Sequence, residues 1–125
     1  MSRVFFISKD FHFSASHQLS HLPASHPCAR LHGHNYCLRI ELGASSLNAQ
    51  SFVRDYNELY PVKKYVDEIL DHRHLNDVFG HSHITAEFLA KTIFDHFKPD
   101  FPELISVAIS ETPKTWAKYQ PLSTL

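Results

Sequence analysis

The sequence predicts an α+β fold: an antiparallel four-stranded sheet with two helices on one face, in the order ββααββ. Three observations predict it. Apolar side chains alternate at period two near the N-terminus and again over residues 32–42. Two middle segments then repeat apolar residues at spacings of three and four behind good helix caps, and the alternation returns after residue 103.

The first strand is expected over Val4 to Ala15, where Phe11, Phe13 and Ala15 share a face and His12 points the other way as a solvated side chain. Ser14 to Pro27 follows as loop, broken by Pro23 and Pro27. From His32 to Leu42, the residues His34, Tyr36, Leu38, Ile40 and Leu42 line one face of a second strand, whose expected partner is the first. After a polar connection, Asp55 is a plausible N-cap. Leu59, Val62, Val66, Ile69 and Leu70 mark an amphipathic helix that starts between Asn57 and Pro61, since Pro61 fits only near a helix start, and ends near Asp71. Asn76 to Ser82 reads as loop. Thr85 caps a second helix with Glu87 in its first turn and Phe88, Leu89, Ile93 and Phe97 as its apolar stripe, ended by Pro99. Leu104 to Ser110 and Thr115 to Gln120 are the last two strands, joined by a turn at Thr112 to Lys114. An open sheet of this kind leaves two edges, and with so many aromatics to bury it predicts a homo-oligomer.

Composition narrows the function. The 125 residues suit a single domain over 1–125, large enough to bury roughly two-thirds of the surface its unfolded form exposes. Hydrophobic residues are 43% and charged ones 20%, and the formal charge is -1, so no basic surface points to nucleic acid. The opening MSRVFFISKD meets charge too early for a secretory h-region, and no apolar run approaches the ~20 residues of a membrane span, so a cytoplasmic location without membrane association is expected. The two cysteines are then thiols: Cys28 in a polar loop, and Cys37 in an apolar run as a core residue. Eleven histidines are the unusual feature.

The stretch CARLHGHNY, residues 28–36, concentrates them. His32 and His34 lie two apart on a strand, so both imidazoles point the same way, as two ligands of one metal must, and Gly33 leaves the opposite face clear. His17 supplies a third imidazole if the first two strands pair as a hairpin. Three histidines and an open position make a catalytic zinc site, whereas four closed ligands make a structural one. Cys28 therefore has two readings, a fourth ligand or a free thiol of lowered pKa beside the metal and Arg30, acting as base or nucleophile. A second cluster is LDHRHLND, residues 70–77. Asp71 and His72 complete a proton relay if Asp71 orients His72 and His72 reaches Cys28. His74, His81, His83 and His96 read as surface residues, and His21 and His26 lie in a loop that can meet substrate. Glu111, at the end of an apolar strand, is either a strand-end charge or a bidentate anchor for an edge with two N–H donors, such as pterins and guanines present.

FHFSASHQL, CARLHGHNY, RDYNEL, LDHRHLND, ITAEFLAK and the SET of residues 110–112 fall in an order that resembles the 6-pyruvoyl-tetrahydropterin and 6-carboxytetrahydropterin synthase family over residues 3–119. The Cys-x-x-x-His-Gly-His spacing is similar to that of the bacterial carboxytetrahydropterin synthases of queuosine biosynthesis; the pyruvoyl enzymes usually have a longer gap. The resemblance implies a tunnelling fold, in which sheets from three subunits close a barrel and two trimers stack into a homohexamer with active sites between subunits. It implies Zn2+ on His17, His32 and His34, Cys28 as the proton-abstracting thiol, Asp71 and His72 as its relay, and Glu111 as the pterin anchor, with Thr85 and Glu87 as further pocket residues. The implied reaction converts 7,8-dihydroneopterin triphosphate to 6-carboxy-5,6,7,8-tetrahydropterin, with release of acetaldehyde and triphosphate. Lys9, Arg30 and Lys114 are candidates for the triphosphate contacts. The alternatives are a pyruvoyl-tetrahydropterin synthase, a sepiapterin side-chain-cleaving activity, or a non-catalytic zinc- and pterin-binding protein. The chain departs from the family pattern at His74, where an aromatic is frequent, and at Trp116, in a segment that often carries small residues.

Overall fold

The computed structural model describes residues 2–122. Its sheet is built on a long hairpin, β1 (Phe5–His17) against β2 (His32–Ala44), antiparallel in unbroken register from Phe5↔Ala44 to His17↔His32. Both strands run two residues further than the alternation alone suggests, because His17 and Ala44 still find partners across the ladder. After β2 come a 3-10 turn at Tyr56–Leu59, helix α1 (Tyr60–Tyr65) and a π-turn at Val66–Leu70. The two-residue strand β3 (Arg73–His74), helix α2 (Leu75–Phe79), helix α3 (Ala86–Phe97), and strands β4 (Leu104–Thr112) and β5 (Thr115–Tyr119) complete the order.

The sheet therefore has five strands, in the order β3-β1-β2-β4-β5, and is mixed. This corrects the expected four-stranded antiparallel sheet. The four long strands are antiparallel as expected, but β3 adds to the β1 edge in parallel, opposite Ala15 and Ser16. Two residues are too few to show a period of two, so nothing in the sequence pattern marked them.

The core fills the helix-bearing face. Phe11, Phe13, Tyr36, Leu38, Ile40 and Leu42 meet Leu89, Ile93, Phe94 and Phe97 of α3, together with Val62 and Val66. Cys37 belongs to the other face and is only half-buried, which corrects its reading as core: its neighbours Tyr36 and Leu38 take the inward positions. Ile105 also falls outside the core cluster that holds Leu104, Val107 and Ile109. The register slips between Glu41, opposite Ser106, and Leu42, opposite Leu104, which leaves Ile105 without a partner on β2, as the extra residue of a β-bulge, although it stays buried.

The helices begin where their caps predict. Asp55 accepts from the Asn57 N–H and Thr85 from the Phe88 N–H. The first helix is less regular than its spacing suggests. It enters through a 3-10 turn, with Pro61 in the first turn of α1, and leaves through a π-turn closed by the Asp71 N–H on the Val66 carbonyl. Part of the expected loop at 76–82 is helix α2, ended by Gly80 at φ 58, a left-handed C-cap for which glycine has no Cβ to hinder it.

Candidate metal centre and active site

Pairing of β1 with β2 sets His17 opposite His32 and Ala15 opposite His34, so the hairpin gathers three imidazoles on its inward face. Their ligating nitrogens lie within 4.8 Å of one another. His17 is fully buried, and its Nδ1 lies 2.7 Å from the Ile84 carbonyl; His32 Nδ1 lies 2.6 Å from the Arg30 carbonyl. A carbonyl can only accept, so each Nδ1 carries the proton and each Nε2 presents a lone pair. Yet those two Nε2 atoms stand 2.8 Å apart. Two lone pairs at that separation repel unless a cation lies between them. The buried Nε2 of His34 has no hydrogen-bond partner either, although Glu111 Oε2 is 2.9 Å away, because the approach lacks hydrogen-bond geometry. Burial pushes the His17 and His34 pKa values below the ordinary imidazole value and so favours the neutral, ligating form. The donor set fits a divalent ion such as zinc, and the two backbone carbonyls fix the rings as outer partners of metal-bound histidines do.

Asp71 and His72 are brought together as expected. Asp71 accepts the Ser14 N–H at 2.9 Å through Oδ1 and lies 3.0 Å from His72 Nδ1 through Oδ2. The Ser14 N–H, then the His72 contact, lower the Asp71 pKa. The π-turn delivers this pair: its C-cap is Asp71, and His72 follows at φ 58, its N–H bonded to the Ser14 carbonyl. The side chain of His72 is 82% exposed. Among the described residues no hydrogen bond joins it to Cys28. That cysteine is half-buried in a 3-10 turn, Pro27–Ala29, its N–H donating to His26 Nδ1 and its carbonyl accepting from Leu19. The first two relay members thus meet within the chain and the thiol does not join them. His72 and His34 do line one open groove of about 490 Å³, with Ser14, Ser16, Asn35 and His74.

Glu111 sits near the end of β4 with Oε2 2.9 Å from His34 Nε2 and 3.5 Å from His17 Nε2, closer to the triad than a separate pterin anchor requires. Thr85 uses its hydroxyl oxygen to cap α3, and Glu87 is exposed on the first turn. Lys9 lies over the Phe11 ring at 5.5 Å, while Arg30 and Lys114 are exposed. His12, His81, His83 and His96 are exposed as expected, but His74 is half-buried in β3 with Nδ1 2.9 Å from Ser16 Oγ, because strand pairing draws it onto β1. Trp116 is 43% exposed and stacks under the Arg39 guanidinium at 4.4 Å. Sequence reasoning missed the carbonyls of Ile84 and Arg30, which any residue type supplies. It also passed over Tyr36, whose buried hydroxyl has no partner; its place two residues after His34 on the same face was the available signal.

A mixed α+β sheet with a three-histidine centre on its inward face defines a candidate mononuclear metalloenzyme. The profile of the 6-pyruvoyl tetrahydropterin synthase family matches residues 6–121, and the chain belongs to that family, whose members are lyases acting on pterins. Among solved structures, 6-pyruvoyl tetrahydropterin synthase of Caenorhabditis elegans is similar at 26% identity and TM-score 0.79, over 98% of this chain and 100% of that one. An uncharacterized protein of Wolinella succinogenes (19% identity, TM-score 0.80, 93% and 97% covered) and 6-pyruvoyl tetrahydropterin synthase of Plasmodium falciparum (15%, 0.72, 94% and 97%) share the fold. Among the described residues no helix is long and apolar enough to cross a membrane.

Proposed function

We propose that the chain is a zinc-dependent carbon–carbon lyase that converts 7,8-dihydroneopterin triphosphate to 6-carboxy-5,6,7,8-tetrahydropterin, releasing acetaldehyde and triphosphate, in queuosine biosynthesis. It works as one domain, 1–125, in a cytoplasmic homohexamer, a dimer of trimers whose sheets close a barrel. The observation that carries the metal reading is the pair of facing Nε2 lone pairs of His17 and His32, 2.8 Å apart. The carboxy product is supported by the Cys28-x-x-x-His32-Gly33-His34 spacing.

His17, His32 and His34 would hold the ion, and zinc bound there would polarise oxygens of the substrate side chain and make neighbouring protons more acidic. Cys28 removes and returns protons at that side chain. The thiolate and not the thiol accepts a proton, so the scheme needs a base beside it. Asp71 holds the Nδ1–H of His72, which leaves His72 Nε2 free to take the thiol proton. Because His72 projects into solvent within one chain, the thiol it serves is that of a neighbouring copy. Glu111 receives the N–H edge of the pterin, and Thr85 and Glu87 flank the ring.

The test is to incubate zinc-loaded protein with 7,8-dihydroneopterin triphosphate and weigh the pterin product. A carboxytetrahydropterin with matching acetaldehyde is expected. The Caenorhabditis elegans likeness favours a second reading, a pyruvoyl product. Sepiapterin supplied separately and cleaved, with the triphosphate left unchanged, marks a side-chain-cleaving activity on that substrate, and no turnover of either by an intact oligomer marks a binding protein. Cys28→Ala is expected to abolish turnover and keep one zinc per chain; zinc lost from the folded variant assigns Cys28 as a ligand instead.

A further inference from the structure

We propose that the groove on the outward face of the sheet, behind the histidine triad, is an anion site in which Arg73, His74, Ser16 and Asn35 hold the phosphoryl groups of a pterin triphosphate bound at the metal centre of a neighbouring copy. The inference rests on the reading above and gives that substrate a phosphate subsite.

Alternation puts Phe13, Ala15 and His17 on the inward face of β1 and Ser14 and Ser16 on the other, and on β2 it turns Gly33 and Asn35 away from His32, His34 and Tyr36. His72, Arg73 and His74, along the β1 edge, wall the outward hollow, whose volume of about 490 Å³ falls within the roughly 300–1,000 Å³ of small-ligand sites. Among the described residues none that lines it is a carboxylate. The neighbouring Asp71 spends Oδ1 on the Ser14 N–H and Oδ2 on His72. The lining side chains are donors instead. Ser14 Oγ donates to Asn35 Oδ1, which leaves the Asn35 amide protons to other acceptors. Ser16 Oγ and His74 Nδ1 lie 2.9 Å apart. If the hydroxyl donates, His74 carries its proton on Nε2; if Nδ1–H donates, the hydroxyl proton is released, so the pair offers one donor in either tautomer. Arg73 gives one N–H to the Glu68 carbonyl at 3.2 Å and keeps the rest of its fork.

Several donors, a permanent cation and no carboxylate suit an anion rich in oxygens, and a planar guanidinium meets phosphate with two parallel N–H bonds. The backbone behind the donors is fixed: β3 pairs with Ala15 and Ser16, and the His72 N–H binds the Ser14 carbonyl. His72 decides which part of a ligand arrives here. In the mechanism above it serves the substrate side chain and thiol of a neighbouring copy, and the triphosphate hangs from the far end of that side chain. The next residues along the edge, Arg73 and His74, are then the ones that meet the phosphates. Lys9, by contrast, lies roughly 17 Å along β1 from Ser14 at ~3.3 Å per residue, in a separate hollow that Asp10 also lines.

The probes are neopterin and neopterin triphosphate, fluorescent oxidised pterins, titrated into the zinc-loaded full chain. Wild type is expected to bind the triphosphate at least about ten-fold more tightly, the worth of one or two charge-assisted hydrogen bonds. Arg73→Gln is expected to lose most of that preference with the neopterin Kd unchanged, Arg73→Lys to keep part of it, and His74→Asn to lose a smaller share. Circular dichroism and sedimentation check that each variant folds and assembles. No preference in wild type, an equal preference in Arg73→Gln, or a variant that loses neopterin to the same degree overturns the subsite. Should neopterin not bind wild type, the pterin reading falls by itself, and inorganic triphosphate becomes the probe of the groove. A Kd for it raised at least about ten-fold in Arg73→Gln keeps the anion site. Equal affinity in both proteins, as the metal ion alone gives, or no binding overturns it.

Discussion

Burial of His17 keeps its imidazole neutral, and this has a thermodynamic sign. The folded-state pKa values of His17 and His34 are depressed from the ordinary 6.5, chiefly by burial. Their contribution to stability is therefore present in full above about pH 6.5 and is lost as pH falls through the folded values, where the unfolded chain binds protons that the folded one resists. Metal-free protein is expected to lose unfolding free energy in urea below pH 6.5, and His17→Gln to flatten that loss. Zinc-loaded protein should fall more steeply still, because protons and metal compete for the same Nε2 atoms. The histidines were legible in the sequence because alternation on a strand fixes which side chains share a face. The carbonyls of Ile84 and Arg30 were not, since a backbone oxygen leaves no mark on residue type. Glu111 was legible as a carboxylate at a strand end; its approach to the triad depends on β4 lying beside β2, a pairing distant in sequence.

Each helix owes its start to a side chain that can be tested singly. Thr85 accepts the Phe88 N–H and begins the helix that buries Leu89, Ile93 and Phe97. Thr85→Ala is expected to cost about 1 kcal/mol, read from urea unfolding with the slope unchanged. The same cap supports the metal centre, because the residue before it, Ile84, lends His17 its carbonyl. Elements with long periods were legible: β1, β2, β4 and α3 appear where apolar spacing places them. The π-turn, the five-residue α2 and the two-residue β3 were not, because each is shorter than the window in which a period can be read. Those short pieces nevertheless set Asp71 and His72 on Ser14. In this chain Asp71 and His72 ride on structure that tertiary packing, and no local pattern, imposes.

At the scale of the molecule, the sheet ends in open edges. β1 is covered by β3 only at Ala15 and Ser16, and Val4, Phe5, Phe6 and Trp116 are all more than 40% exposed. Unpaired strand edges and exposed aromatics favour association with further copies. Sedimentation at micromolar concentration is expected to give a hexamer, and dilution into monomers to lose activity while each chain keeps its metal. A monomer with full activity overturns the shared-site reading. Assembly is an expectation that strand count and aromatic content raise from the sequence, whereas the fifth strand that shortens one edge left no mark there.

The bulge at Ile105 acts at this scale too. An extra residue in β4 bends the strand and tightens its twist opposite Glu41 and Leu42, toward the end of β2 that lies far from His32. Curvature and chemistry thus occupy opposite ends of the same strand pair. A change in the length of this irregularity would alter how steeply the sheet coils at that end without disturbing the three imidazoles at the other. The hairpin thus separates shape from chemistry: one end gathers the candidate ligands, and the other sets the curvature of the sheet.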